Sequence, residues 1–292
     1  MPLISIGMPV FNSEHTIEKS IRSLLSQDFK DFELIISDNG STDDTPNICQ
    51  YLSSQDSRIR YFRYEKNRGA SWNFKNVFTL ASSEFFMWAA SHDMWESNYI
   101  NSCIEKIKTN PKICLVYSQL TWFKDDNILY SPAVSLIDTQ GKSTIMRLWD
   151  IIFKLSMCDM VYGVFRSSEL KKCRIGLSCQ GPDNILLFEL SLYGEIAVIH
   201  QRGFLRYIPD RVFRSLEEEK IDYLTRIDPD FEKRRVIRPI TEMSIQHIHG
   251  LLKSKLSIVK KILFLLPIIM LLSIRRGRKI IHEIFHPIIQ HQ

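Results

Sequence analysis

The sequence predicts an α/β fold in which a mainly parallel sheet is flanked by helices and followed by a C-terminal helical tail. Three observations carry that prediction. Strand-like and helix-like segments alternate through the first hundred residues, the order that builds a parallel sheet covered by helices. Dense polar runs follow three of the first four strand segments, and open parallel sheets bind ligands at that edge. Beyond residue 250 the chain turns apolar and basic.

Leu3 to Met8 reads as a short buried strand, and Ile17, Ile21, Leu24 and Leu25 then recur at helical spacing with Asn12 or Ser13 placed to cap the helix,. Phe32 to Ser37 is the second strand, Thr45-Pro46 opens a helix, Ile59 to Tyr64 is the third strand and Ala70 to Leu80 the next helix,. Glu84 to Ala89 and Asn98 to Lys108 complete the alternation. Cys114 to Phe123 is a further strand, after which the pattern loosens through Lys124 to Ser143. Helices over Ser143 to Met157 and Asn184 to Tyr193 precede a strand near Ile196 to His200. Residues 1–215 thus form one α/β domain, 216–250 a helical connector and 251–292 a tail.

The chain has 292 residues and 38 Lys and Arg against 33 Asp and Glu, a net charge of +5. Eight of those cations and one acid lie beyond residue 250, so the tail carries +7 and the preceding body −2. A basic face for DNA or RNA has no basis in such a body, and no nucleic-acid partner is expected. Six cysteines show no CxxC pair or zinc-site spacing,, which points to reduced, mostly buried thiols. The N-terminus lacks a basic n-region and runs directly into a strand, unlike a signal peptide,.

The polar runs are Pro9 to Glu14, Ser37 to Asp44 and Ser91-His92-Asp93. One such loop means little, but three at one sheet edge outline a pocket. There is no GxGxxG, and Gly141-Lys142-Ser143 fails as a phosphate loop because Leu136 stands where its first glycine belongs,. A bound nucleotide would need another phosphate clamp, and a divalent cation on carboxylates supplies one.

The ordered segments ISIGMPVFNSE (4–14), ELIISDNGSTDDT (33–45), NRGASWNF (67–74), FFMWAASHDMW (85–95), YGVFR (162–166) and GPDNILLFEL (181–190) resemble the inverting glycosyltransferases of family 2, of the bacterial surface-polysaccharide type. The resemblance spans roughly residues 3–215 and implies the GT-A, Rossmann-like fold and a nucleotide-diphosphate sugar donor. It implies that Asp38 meets the nucleobase, that Pro9, Phe11 and Glu14 shape the base and ribose site, and that Asn67, Arg68 and Asn73 line the nucleotide's far side. It further implies that Asp93 binds a divalent cation, Mn²⁺ or Mg²⁺, and that Asp183 is the catalytic base. Arg206, Arg211 and Arg214 correspond to a loop closing over the phosphates.

His92 stands where relatives place a second carboxylate, and imidazole accepts Mn²⁺ more readily than Mg²⁺. That departure leaves open a non-catalytic nucleotide-sugar-binding scaffold. A sugar-1-phosphate nucleotidyltransferase is another alternative, although PVFNSE is no glycine-rich basic loop. Simpler uses also stand: Asp38 and Asp43 suit turns and caps, Asp93 and Asp183 suit helix caps, Trp72, Trp88 and Trp95 suit the core, and the three arginines near 210 could pair with Glu217, Glu218 and Glu219.

In the tail, Ile262 to Ile274 is thirteen residues without a charge, short of the roughly 20 that span a bilayer. Basic clusters on both sides suit a segment lying in the interface of an anionic leaflet, with a core helix as the alternative. The enzyme so read works at the cytoplasmic face of the inner membrane, peripheral or monotopic, on a lipid-linked glycan acceptor.

Overall fold

The structure, a computed structural model, describes residues 1–124, 127–130, 136–208, 223–227, 236–285 and 288–289. Strands β1 (Ile4–Val10), β2 (Phe32–Asp38), β3 (Ile59–Arg63) and β4 (Phe85–Trp88) alternate with helices α1 (Ile17–Leu25), α2 (Thr45–Gln55) and α3 (Ala70–Thr79). They lie side by side in the order β3-β2-β1-β4, all parallel. β1 and β2 are buried almost throughout, as strands covered on both faces must be. The helices face them with apolar stripes, Ile17, Ile21 and Leu24 in α1 being one,.

The other half of the sheet is mixed: short antiparallel strands interrupt a sheet that is mainly parallel, as expected. β5 (Met94–Trp95) leads through α4 (Tyr99–Lys108) to β6 (Ile113–Lys124) and its hairpin partner β7 (Asn127–Tyr130). β8 (Val164–Arg166) runs antiparallel between β4 and β6, β9 (Glu195–Tyr207) runs parallel to β6, and β5 closes the edge antiparallel to β9. β5 and β8 have two and three residues, too few to show a periodicity. Met94-Trp95 is therefore a strand, and α4 starts after Asn98, so Asp93 caps no helix.

Two apolar cores sandwich the sheet. One joins α1, α2 and α4 to one face. The other unites α3, α5 (Thr144–Lys154) and α7 (Pro182–Tyr193) with Leu251, Ile268, Leu271 and Leu272 from the C-terminal helices. A 3-10 turn, Asp159–Tyr162, precedes β8, and the four-residue α6 (Ser167–Leu170) follows it. After a helical turn α8 (223–227), α9 (Pro239–Lys253) and α10 (Ile258–Phe285) pack against α7 and α5. Val236–Ile237 and Ile288–Ile289 pair as a separate two-stranded ribbon.

Among the described residues no helix is long and apolar enough to cross a membrane. α10 nevertheless has two apolar sides. Ile268, Leu271 and Leu272 are buried in the second core, while Ile258, Ile262, Leu266 and Ile269, at three- to four-residue spacing, are exposed.

Candidate active site

The ends of β1, β2 and β4 converge, and the loops there are cross-braced. Asn12 is held at a positive φ of 48°; its N–H donates to Ser41 Oγ at 2.9 Å and its Oδ1 accepts from Thr42 N–H at 2.9 Å. Glu14 accepts from the Asp44 N–H, and Asp43 accepts from the N–H groups of Glu14 and Thr45. Gly40 has φ +81°, and any Cβ there would lie 3.0 Å from the Lys66 backbone, so only glycine fits the loop without strain. Pro9 is half-buried at the strand end, and Phe11 is 43% exposed.

Asp38 sits fully buried at the tip of β2. Its Oδ1 accepts from Ser41 N–H at 2.8 Å, and its Oδ2 accepts from Tyr61 O–H at 2.8 Å with Arg63 3.8 Å away. Asn73, at the first turn of α3, accepts from Ser37 O–H and donates to the carbonyls of Val10 and Ser37, tying α3 to two strand ends. Asn67 and Arg68 are exposed at the entry to α3. Asn39 fixes both by donating to Asn67 Oδ1 and accepting from Arg68 N–H, and the Arg68 guanidinium lies over Trp72, 4.7 Å from the ring centre,.

The carboxylates beyond β4 are held differently. Asp93 is 1% exposed, and the one described hydrogen bond to its carboxylate comes from Tyr207 N–H at 2.9 Å. Burial pushes its pKa up against the pull of His92, that N–H and Arg206,. Asp159, also raised by burial, is ion-paired with Arg206. Asp183 lies in the first turn of α7, behind Gly181 at φ +65°. No described hydrogen bond reaches its carboxylate, no side chain caps the helix, and burial raises its pKa to about 6. The cap reading of Asp183 is thereby excluded among the described residues. Tyr162 stands among all three carboxylates: burial first, then Asp93, Asp183 and Asp159 push its phenol well above its ordinary value.

His92 Nε2 lies 3.8 Å from Asp93 Oδ1, with the imidazole about half exposed. Two ligands about 2.1 Å from one ion lie no more than about 4.2 Å apart, so this pair fits a divalent cation. Among the described residues no group of three or more potential ligands exists; the remaining coordination positions would fall to phosphate oxygens and water.

The sequence-predicted residues thus gather in two clusters along one sheet edge. Pro9, Phe11, Glu14, Asp38, Asn67, Arg68 and Asn73 surround the ends of β1 to β3, while His92, Asp93, Arg206 and Asp183 flank Tyr162. Arg211 and Arg214 lie outside the described residues, as do Glu217 to Glu219. Trp88 and Trp95 are core residues, whereas Trp72 is the half-buried platform beneath Arg68. Sequence reasoning missed Asn39, Asp159 and Tyr162. All three fall within or beside segments already singled out, but their roles depend on contacts between residues distant in the chain.

A family model described as Glycosyl transferase family 2 matches residues 5–160. The GalNAc(5)-diNAcBac-PP-undecaprenol β-1,3-glucosyltransferase of Campylobacter jejuni is 30% identical over 216 residues, 74% of this chain and 66% of the relative. The UDP-Glc:α-D-GlcNAc-diphosphoundecaprenol β-1,3-glucosyltransferase WfgD of Escherichia coli is 32% identical over 44% of this chain and 49% of its own. The chain therefore spans about half to two thirds of these relatives. Among solved structures, the mannosyltransferase PcManGT of Pyrobaculum calidifontis, in complex with GDP-Man and Mn²⁺, superposes with a TM-score of 0.60 at 11% identity, covering 96% of this chain and 72% of that one. That likeness concerns the fold.

Proposed function

The chain belongs to glycosyl transferase family 2, and from that premise we propose that it transfers a sugar, with inversion, from a nucleotide-diphosphate sugar to a hydroxyl of a lipid-linked glycan in surface-polysaccharide synthesis. One observation carries the reading: a carboxylate in the first turn of α7, without a hydrogen-bond partner among the described residues and raised to about 6, near Tyr162 and Asp93. A general base works best with a pKa near the working pH. Asp183 takes the proton of the acceptor hydroxyl as its oxygen attacks the anomeric carbon from the side opposite the diphosphate.

The braced loops hold the donor. Phe11 and Pro9 offer apolar surface to the base, and Asp38 orders the loop that meets it. Arg68 is placed to pair with phosphate oxygens. Asp93 and His92 would hold a divalent cation, which when bound supplies positive charge to the leaving diphosphate. The Mn²⁺ in the complex of the structural neighbour supports that choice. The half-exposed Arg206, ion-paired with Asp159, keeps a guanidinium beside Asp93.

The relatives' names supply the acceptor class: a diphosphoundecaprenol glycan bearing N-acetylated sugars, joined through a β-1,3 bond. A lipid-linked acceptor agrees with the outer side of α10, where Ile258, Ile262 and Leu266 are exposed, and with the exposed Lys260, Arg275 and Lys279 elsewhere on the same helix. That side rests on the anionic cytoplasmic leaflet, with the inner side anchored in the second core. The nucleotidyltransferase and scaffold alternatives draw no support from the relatives.

Purified enzyme given a panel of nucleotide sugars, Mn²⁺ and a short-chain polyprenyl-diphosphate N-acetylhexosamine should form one glycosylated product of inverted configuration. Asp183→Asn should bind donor normally and lose roughly 10³-fold in kcat. Undiminished turnover in that variant would remove Asp183 from the mechanism.

A further inference from the structure

A cavity of about 140 Å³ opens directly beside Asp183. Phe74 of α3, Trp88 of β4, Leu186 of α7, Val161 and Ile175 form its walls, and Ala70 stands at the start of α3 as its smallest lining side chain. It resembles in size a cavity of about 150 Å³ known to admit benzene. Most binding pockets combine such walls with a few convergent polar groups.

Here the polar groups of the lining are largely spent within the protein. Ser71 O–H donates to Leu177 O at 2.9 Å, and Trp88 Nε1–H donates to Phe74 O at 3.0 Å. Arg174 is held by Glu189 and by both the side chain and backbone of Gln246. Tyr223 interacts with the Gly181 backbone. What remains is a largely apolar chamber with one carboxylate at its edge that no hydrogen bond from the described residues reaches.

A sugar ring would lose its hydration inside such walls without recovering the hydrogen bonds, at a cost of several kcal/mol. The ring carrying the reacting hydroxyl must therefore stay outside with that hydroxyl on Asp183, and only a neighbouring substituent can enter. In a sugar glycosylated at its 3-hydroxyl, the substituent on C2 is vicinal to the attacking oxygen. An acetamido group there has a methyl end suited to the chamber and an amide end that stays at its mouth.

We propose that this cavity is an N-acyl pocket, which selects acceptors bearing an acetamido group vicinal to the hydroxyl that is glycosylated. The proposal rests on the transferase reading above for the identity of the base and refines its acceptor. The pocket acts as a specificity device: hydrophobic burial of a small substituent discriminates by tens-fold.

Two measurements test it. In the first, polyprenyl-diphosphate acceptors carrying N-acetylglucosamine, N-propionylglucosamine or glucose are compared on the wild-type enzyme. Both N-acyl acceptors should exceed the glucose acceptor at least 30-fold in kcat/KM, and Ala70→Leu, which fills the chamber, should shrink that ratio below about threefold. Equal use of all three, or a preference that Ala70→Leu leaves intact, overturns the pocket. In the second, saturation-transfer NMR with methyl N-acetyl-β-glucosaminide should show the acetyl methyl as the most saturated group in wild type and lose that preference in Ala70→Leu. Uniform saturation of the ring overturns the proposal. Selective methyl saturation without turnover of any acceptor would keep the pocket and defeat the transferase reading, so the two failures are distinguishable.

Discussion

Asp38 and Asp183 are both aspartates at the edge of the same sheet, and they are treated in opposite ways. Asp38 receives a backbone N–H and a phenolic O–H and has an arginine at 3.8 Å. Asp183 receives no described hydrogen bond and is pushed up to about 6 by burial. The same division runs through their surroundings. Around β1 to β3, Asn12, Glu14, Asn39, Asp43 and Asn73 tie one loop to the next. Around Tyr162, Asp93 and Asp159 are raised by burial, and a single arginine pairs with one of them. Satisfied carboxylates build a rigid frame, and under-satisfied ones are held ready to exchange protons or bind cations.

The largest expected effect breaks the reactive side. Asp183→Asn should cost about 10³-fold in kcat while leaving the melting temperature unchanged or slightly higher. Folding raises the pKa of this carboxyl, so its contribution favours the fold fully below about pH 4, its ordinary range, and is lost as pH climbs through about 6,. At neutral pH the charged side chain is a burden that asparagine lifts. A fall of several degrees in thermal denaturation would instead place Asp183 in the frame.

Asp38→Ala should behave in the opposite sense. It strands the Ser41 N–H and the Tyr61 hydroxyl in a buried site, at about 1–3 kcal/mol, and thermal unfolding should show the loss directly. Its catalytic defect should appear mainly as a higher KM for the donor, because the loop it orders meets the nucleotide. A stable variant with normal donor KM but low kcat would erase the distinction between the two aspartates.

How much of this was legible in the sequence follows the same line. The parallel half announced itself, because β1 and β2 are mostly apolar runs and α1 carries a clear stripe; the observed elements differ from the expected ones by a residue or two. The antiparallel insertions escaped, since Met94-Trp95 and Val164 to Arg166 are too short to carry a period and are strands only through pairing with β9, β4 and β6. The positions of Asp38, Asp93 and Asp183 were visible as motif residues. Whether each is neutralised or left exposed to its own charge was not, because the deciding partners, Tyr61, Tyr207 and the walls beside α7, lie 23, 114 or an unpredictable number of positions away. The two-sided character of α10 was half legible: composition gave its apolar and basic residues, while packing alone separates buried Leu271 and Leu272 from exposed Leu266.

An effect on binding alone, separate from catalysis, tests the membrane contact of that helix. Replacing Lys260, Arg275 and Lys279 together by Glu should weaken binding to vesicles rich in anionic lipid by at least about 3 kcal/mol, from roughly 1 kcal/mol for each cation lost, with no change in donor hydrolysis in detergent. Vesicle flotation reads this out, and undiminished flotation would assign the exposed stripe to some other use.

The most direct test of Asp183 as the base is the pH dependence of kcat at saturating donor and acceptor. The base must be ionised to accept a proton, so the rate should rise about tenfold per pH unit below about 6 and level off above it,. A plateau that persists down to pH 4.5, with an inflection near the ordinary aspartate range of about 4, would contradict the assignment.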